Sequence, residues 1–119
     1  NVINGKGGND TLTGGAGADN FRFDTTLSAT TNKDTITDFN ALYDTIQLDN
    51  AVMTALGTTM TSGKFYVGTA AHDLDDRIIY NKATGELSYD SNGSLAGGST
   101  VFAVLSVKPT ITYSDFQVI

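Results

Sequence analysis

The sequence predicts an all-β domain in which a short parallel β-helix or β-roll continues into a capping β-structure with a hairpin and one short helix. Three observations predict it. Asn4 to Phe23, reading NGKGGNDTLTGGAGADNFRF, holds two consecutive nine-residue units. Arg77 to Tyr89, reading RIIYNKATGELSY, alternates around a turn as a hairpin does. Thr100 to Val107, reading TVFAVLSV, carries no charge and suits a central strand.

The units are Gly5–Thr13 (GKGGNDTLT) and Gly14–Arg22 (GGAGADNFR), with Asp10 and Asp19 nine apart and Leu12 and Phe21 nine apart. The same frame runs back to Ile3 and Asn1, so the chain starts inside a repeat. A nine-residue period is neither a helix face nor a coiled-coil seam. A glycine-rich turn followed by a very short strand with a central apolar residue is the pattern of a parallel β-helix with calcium in its turns. Glycine permits positive φ and close backbone approach, which lets carbonyl oxygens face a cation. A hard dication takes six to eight such oxygens, carboxylates among them. The plain alternative is a hairpin with glycine turns, but the spacing, the aspartates and the apolar positions agree together against it.

These residues resemble the RTX (repeat-in-toxin) family, whose nonapeptide is G-G-x-G-x-D-x-U-x with U a large apolar residue. The second unit matches at every fixed position, and the first has Lys6 in place of the second glycine. The resemblance implies a parallel β-roll in which each calcium lies between a loop and the loop two units along. It implies carboxylate ligands from Asp10 and Asp19 and carbonyl ligands from Gly5, Gly7, Gly8, Gly14, Ala16 and Gly17. The loop at Gly14 would then pair with one ending near Asn1, and the loop at Gly5 with a degenerate one near Asp24. Lys6 resists positive φ, so the first loop is expected to depart from the family geometry.

The period fails over Asp24–Asn32 (DTTLSATTN), a loop bulging from the roll. Reduced units return at Asp34-Thr35-Ile36-Thr37 and Asp44-Thr45-Ile46-Gln47, without their glycines, as final rungs. Asp34, Asp38 and Asp44 either complete calcium sites at this end or are solvated turn carboxylates. Residues 1–49 thus read as the end of the roll and 50–119 as the cap. Asp49 or Asn50 can cap a short helix, AVMTAL, which Gly57 stops. Val52, Met53 and Leu56 would give it one packing face.

KFYVG reads as a strand and AAHDLDD as an acidic turn. His72 is the sole histidine and the chain has no cysteine, so a zinc site there is disfavoured and a surface or turn role is expected. In the hairpin, a four-residue KATG loop sets Asn81 opposite Glu86, Tyr80 opposite Leu87 and Ile78 opposite Tyr89. Arg77 then faces Asp90, which brings Asp75 and Asp76 near Asp90, Asn92 and Gly93. That end is either a separate calcium site including Asp76 and Asp90, or a solvated turn with Asp90 paired to Arg77. The glutamate that would complete an EF-hand is missing. Pro109 ends the uncharged strand.

Phe65 to Ile119 resembles, as a whole, the carboxy-terminal region of bacterial RTX proteins. The matching pieces are FYVGTAAHDLDDRIIYN, ATGELSYDSNGS, FAVL and the terminal SDFQVI. The resemblance implies a region that caps the repeats and carries an uncleaved export signal read by the ABC transporter of type I secretion.

A chain of 119 residues suits one domain, and 39% hydrophobic residues can bury a modest core. A formal charge of −6 disfavours nucleic acid and anionic membrane as partners and favours cations. Twelve of the thirteen acidic residues are Asp, which favours turns and metal loops over helices. No disulfide can hold the domain, and bound calcium is the expected cross-link. No signal peptide or membrane span is visible and the first residue is not Met, so a segment of a larger secreted, extracellular or cell-surface protein is expected.

The sequence therefore predicts a non-enzymatic, calcium-binding RTX module for folding, capping and export, the parent's activity lying upstream. The alternative is a calcium-dependent polysaccharide-binding module using Tyr43, Tyr66 and Tyr113, which otherwise serve in packing. A catalytic reading lacks support, since the lone histidine has no nucleophile partner.

Overall fold

Leu12 and Phe21, each in a very short strand, must face inward while their polar neighbours face out, and this alternation sets the architecture. The computed structural model describes residues 1–119. Its first five strands are β1 (Val2–Ile3), β2 (Thr11–Leu12), β3 (Asn20–Phe23), β4 (Asp34–Ile36) and β5 (Thr45–Leu48). They alternate between two sheets, and each pairs in parallel with the next strand but one: β1 with β3, β2 with β4, β3 with β5.

The remaining strands are β6 (Phe65–Val67), β7 (Ile78–Asn81), β8 (Glu86–Asp90), β9 (Ser99–Leu105) and β10 (Phe116–Val118). The first sheet has the order β1-β3-β5-β10, and the second β2-β4-β9-β8-β7-β6. In the first, every pairing is parallel. The second is mixed, because β7-β8 and β8-β9 are antiparallel. The structure is thus mostly β.

Apolar residues stand in register across the strands. Ile3, Phe21, Ile46 and Phe116 form one row of the first sheet, and Leu12, Ile36 and Leu105 form one row of the second. These rows face a single core that also receives Ile78, Tyr80, Leu87 and Tyr89 from the hairpin. Burying each large side chain stabilises the fold by about 1.5–3 kcal/mol. Phe23 packs edge-on against Phe102 with ring centroids 5.1 Å apart, tying β3 to β9, and within residues 50–119 Phe65 meets Phe116 at 5.4 Å. On the opposite face of the first sheet, Arg22 Nε donates to Gln47 Oε1 at 3.0 Å and Gln47 Nε2 to Gln117 Oε1 at 2.9 Å. This polar row satisfies a glutamine that is only 7% exposed.

The hairpin has the expected register, Asn81 to Glu86, Tyr80 to Leu87 and Ile78 to Tyr89. Gly85 takes φ +81 in its loop, and a Cβ there would lie 2.2 Å from Leu105 O, so only glycine fits against β9. Tyr80 is fully buried and its hydroxyl donates to Pro109 O at 2.7 Å. Burial pushes its phenol above the usual tyrosine range. Tyr80→Phe is expected to cost about 1 kcal/mol in urea unfolding, the net worth of that bond plus the orphaned carbonyl. An unchanged midpoint would show that water satisfies Pro109 O equally well.

The expected helix AVMTAL is not an α-helix. Turns lead into a single 3-10 turn, Thr54–Leu56. Six residues between Asn50 and a glycine at φ 72 are too few to repay helix nucleation. Asp49 Oδ1 accepts from Ala51 N at 2.8 Å in the turn before it, and the 3-10 turn itself starts at Met53 with no side-chain cap. Met53 and Leu56 are fully buried, so the packing face forms without the helix. The uncharged strand ends at Leu105 in a turn, four residues before Pro109.

Candidate metal centre

Each repeat aspartate stands at the entry of a strand, where its carbonyl belongs to the parallel ladder and its N–H meets the carboxylate of the aspartate on the next strand in the same sheet. Asp10 N donates to Asp34 Oδ1 at 2.9 Å, and Asp19 N donates to Asp44 Oδ1 at 3.0 Å. Asp44 Oδ2 also accepts from Asn40 N at 2.9 Å. Asp38 closes over the second unit, its two oxygens accepting from Gly14 N at 2.9 Å and Gly15 N at 2.8 Å. The late aspartates are therefore joined to the repeat loops rather than scattered in solvent.

Two oxygens in this ladder lack partners. Asp10 Oδ2 and Asp19 Oδ2 are buried and make no hydrogen bond. A buried polar atom left without a partner costs about 1–3 kcal/mol, and the other oxygen of Asp19 accepts from the amino terminus at 3.1 Å. Both unpartnered oxygens aim at a glycine. A Cβ on Gly5 would lie 2.7 Å from Asp10 Oδ2 and 3.0 Å from Asp34 Oδ2, and one on Gly14 would lie 2.7 Å from Asp19 Oδ2. Burial raises the Asp34 carboxyl above its usual range, the Asp10 carboxylate pushes the same way, and the Asp10 N–H opposes them. Two negative groups around a space kept open by glycine form a cradle for a cation. Hard oxygen donors with no nitrogen or sulfur among them fit calcium.

The backbone of the two loops repeats. Gly8 and Gly17 have φ 103 and 92, and Lys6 and Gly15 have φ 62 and 82. Lys6 thus adopts the positive φ that its side chain was expected to resist, at a cost on the order of 1–2 kcal/mol. Its N–H donates to Asn4 Oδ1 at 2.9 Å, Thr25 Oγ donates to its carbonyl at 2.9 Å, and its ammonium lies 3.2 Å from Asp24 Oδ2. The loop at Gly5 lies against the segment after β3, as Asn9 Nδ2 also donates to Thr30 O at 2.9 Å and Lys33 N to Asn9 Oδ1 at 2.8 Å. Asp24 is held by this ammonium. Its carboxyl sits below the usual range, chiefly through a hydrogen bond from the Asn4 side chain, with burial opposing and Lys6 and Arg22 adding.

At the open end of the hairpin, the expected pairing of Asp90 with Arg77 is made through the backbone alone. Asp90 N donates to Arg77 O at 2.7 Å, but the side chains form no ion pair. The Arg77 guanidinium donates instead to Leu74 O and Asp76 O. Asp90 is only 5% exposed and accepts from Asn92 N at 3.1 Å. The carboxylates of Asp76 and Asp90 share no hydrogen-bond partner. Asp76 Oδ2 caps the turn at His72 N, 2.8 Å, and touches His72 Nδ1 at 2.6 Å.

His72, Asp73 and Asp76 come together with ligand atoms within 4.8 Å of one another, the one such cluster in the chain. The His72 ring stacks on Tyr66 at 3.9 Å. The signal for this cluster in the sequence is the local spacing H-D-x-x-D, which needs no second histidine or cysteine. Of the tyrosines considered for glycan contact, Tyr43 is 62% exposed and Tyr113 43%, whereas Tyr66 is engaged with His72.

Residues 1–117 match the family model described as Peptidase M10 serralysin C terminal. No curated protein matches the chain.

Proposed function

Since the chain belongs to the serralysin C-terminal family of peptidase M10, whose domains are calcium-binding RTX-type modules of secreted proteins, we propose that it is a calcium-triggered folding, capping and export module. The observation that supports this most directly is the pair of buried, unpartnered oxygens, Asp10 Oδ2 and Asp19 Oδ2, facing glycines that leave room for an ion. In this reading residues 1–49 are the end of a parallel β-roll and residues 50–119 its cap. β10 pairs with β5 and β9 with β4, so the last rungs of the roll are flanked by strands of the cap instead of ending as open edges.

Bound calcium supplies the positive charge and the coordination that the orphaned oxygens lack. Asp10 and Asp34 hold a carboxylate pair at Gly5, and Asp19 faces Gly14 with Asp44 bonded to its N–H. Asp38 orients the Gly14 loop by taking two of its N–H groups. Gly7, Gly8, Ala16 and Gly17 shape the loops and offer backbone oxygens, and Asp24 serves the first loop through Lys6. With the sites empty, the carboxylates repel and the chain stays open enough to thread the ABC transporter of type I secretion. Extracellular calcium modules bind with dissociation constants on the order of 10⁻⁴ to 10⁻³ M. Calcium at about ten times that constant stabilises the fold by roughly 1.4 kcal/mol per site. A few such sites decide folding where domain stability is about 5–15 kcal/mol. The module is proposed to be non-enzymatic, with any catalytic site upstream in the parent protein.

The test is a calcium titration followed by far-ultraviolet circular dichroism, with magnesium as control. A cooperative gain of β signal with calcium alone is expected, and Asp19→Ala should raise the midpoint about tenfold. A chain fully folded in EDTA and indifferent to calcium would overturn the folding switch and favour the polysaccharide-binding alternative, read out by calcium-dependent retention on glycans.

A further inference from the structure

The spaces at Gly5 and Gly14 offer a cation unequal surroundings. Around the point where a Cβ on Gly5 would stand, Asp10 Oδ2 lies at 2.7 Å and Asp34 Oδ2 at 3.0 Å. Asp34 Oδ1 accepts from Asp10 N at 2.9 Å, while no protein group donates to either Oδ2. Two carboxylates therefore converge on one space. Around the corresponding point at Gly14 stand a single oxygen, Asp19 Oδ2 at 2.7 Å, and an aromatic carbon, Phe21 Cζ at 3.0 Å.

The other carboxylate oxygens near Gly14 are already engaged. Asp44 Oδ1 accepts from Asp19 N at 3.0 Å and its Oδ2 from Asn40 N at 2.9 Å. Asp38 Oδ1 accepts from Gly14 N at 2.9 Å and its Oδ2 from Gly15 N at 2.8 Å. Asp19 Oδ1 accepts from the Asn1 amino group at 3.1 Å. Of these three carboxylates, only Asp19 Oδ2 is left without a donor.

We infer that the two spaces fill in order, Gly5 first and tightly, Gly14 second and weakly, with Asp34 the residue that sets the ranking. The inference rests on the calcium reading above and ranks its sites. Calcium affinity depends on the number of charged ligands around the ion. At Gly5 two carboxylates face the ion, one ahead of β2 and one at the start of β4. At Gly14 one carboxylate faces it beside an aromatic edge, and Asp38 or Asp44 could turn inward only by leaving a backbone N–H unpaired. Calcium thus joins loop to next rung at Gly5, and hydrogen bonds do so at Gly14 with or without an ion.

Calcium chloride titrated into the isotopically labelled, EDTA-treated and dialysed full chain tests this, with amide shifts read loop by loop and sucrose maintaining a folded population. The amides of Gly7 to Asp10 should reach half-shift at a calcium concentration about tenfold or more below those of Ala16 to Asp19. Asp34→Asn should raise the first midpoint by about tenfold and leave the second within about twofold. If that variant proves unfolded by circular dichroism at saturating calcium, the unsubstituted chain alone decides the order. Acetylation of Asn1, which removes the charge beside Asp19, should preserve it. Coincident midpoints, or the second loop moving first, in either the free or the acetylated chain overturn the ranking. Amides that stay in place in both loops throughout the titration overturn the calcium reading itself, and the ranking with it.

Discussion

Gly14→Ala is expected to raise the calcium midpoint of folding by roughly tenfold or more, while Gly7→Ala moves it by less than about twofold. Neither glycine has a positive φ, so backbone strain is not the difference between them. Space is the difference. A methyl on Gly14 would stand 2.7 Å from Asp19 Oδ2, 3.1 Å from Asp19 Cγ and 3.0 Å from Phe21 Cζ. Asp19 is 2% exposed and Phe21 is completely buried in the central apolar row, so neither can yield without disturbing β3 and β5. At Gly7 no heavy atom lies within 4 Å of the added carbon.

The clash at Gly14 should cost about 1–3 kcal/mol in urea unfolding at saturating calcium, and the methyl also fills the space the orphaned oxygen faces. Far-ultraviolet circular dichroism across a calcium titration reads both variants. Equal shifts at Gly7 and Gly14 would mean that glycine acts here through the unfolded chain's entropy and not by keeping a cradle open.

The nonapeptide signal was legible because one period places three kinds of residue at once: the glycines in the loop, the aspartate at the strand entry and Leu12 or Phe21 in the core. The hairpin was legible because a four-residue loop and strict alternation leave few registers, and the paired residues are those expected. What joins the two halves was not legible. β9 lies between β4 and β8, with Asp34 beside Ala103 and Ile36 beside Leu105, and nothing periodic links segments so far apart. The pairing of β10 with β5 is of the same kind. The helix at 51–56 was misread because an apolar spacing that suits a helix face also suits a buried turn, as Met53 and Leu56 show. Around the candidate site, the residue types pointed to Asp10 and Asp19, but their connection to Asp34 and Asp44 depends on the ladder register that only the folded chain supplies.

That ladder makes Asp34→Asn a test whose sign depends on calcium. The folded-state carboxyl of Asp34 is raised above the ordinary value of 3.8 by burial and by the Asp10 carboxylate. A raised acid binds its proton more tightly in the folded chain. Its contribution is most favourable below the unfolded value of 3.8, declines as pH rises through the folded value, and is a full penalty above it. Asp24 and Asp76, both lowered, act in the opposite direction, their stabilisation being lost as pH falls.

Asparagine at position 34 keeps an oxygen for Asp10 N and removes the charge. In EDTA near neutral pH, with sucrose or sulfate maintaining a folded population, Asp34→Asn should be more stable than the unsubstituted chain by on the order of 1 kcal/mol. The advantage should fade as the pH is lowered towards 3.8, where Asp34 becomes protonated. In saturating calcium the sign should reverse, with affinity lower by about tenfold, roughly 1.4 kcal/mol, because the cradle at Gly5 has lost one of its two carboxylates. Thermal unfolding in the two conditions measures both differences. Destabilisation of similar size with and without calcium would assign Asp34 to the backbone of Asp10 alone, and the Gly5 cradle would then have a single carboxylate, too little charge to hold the ion.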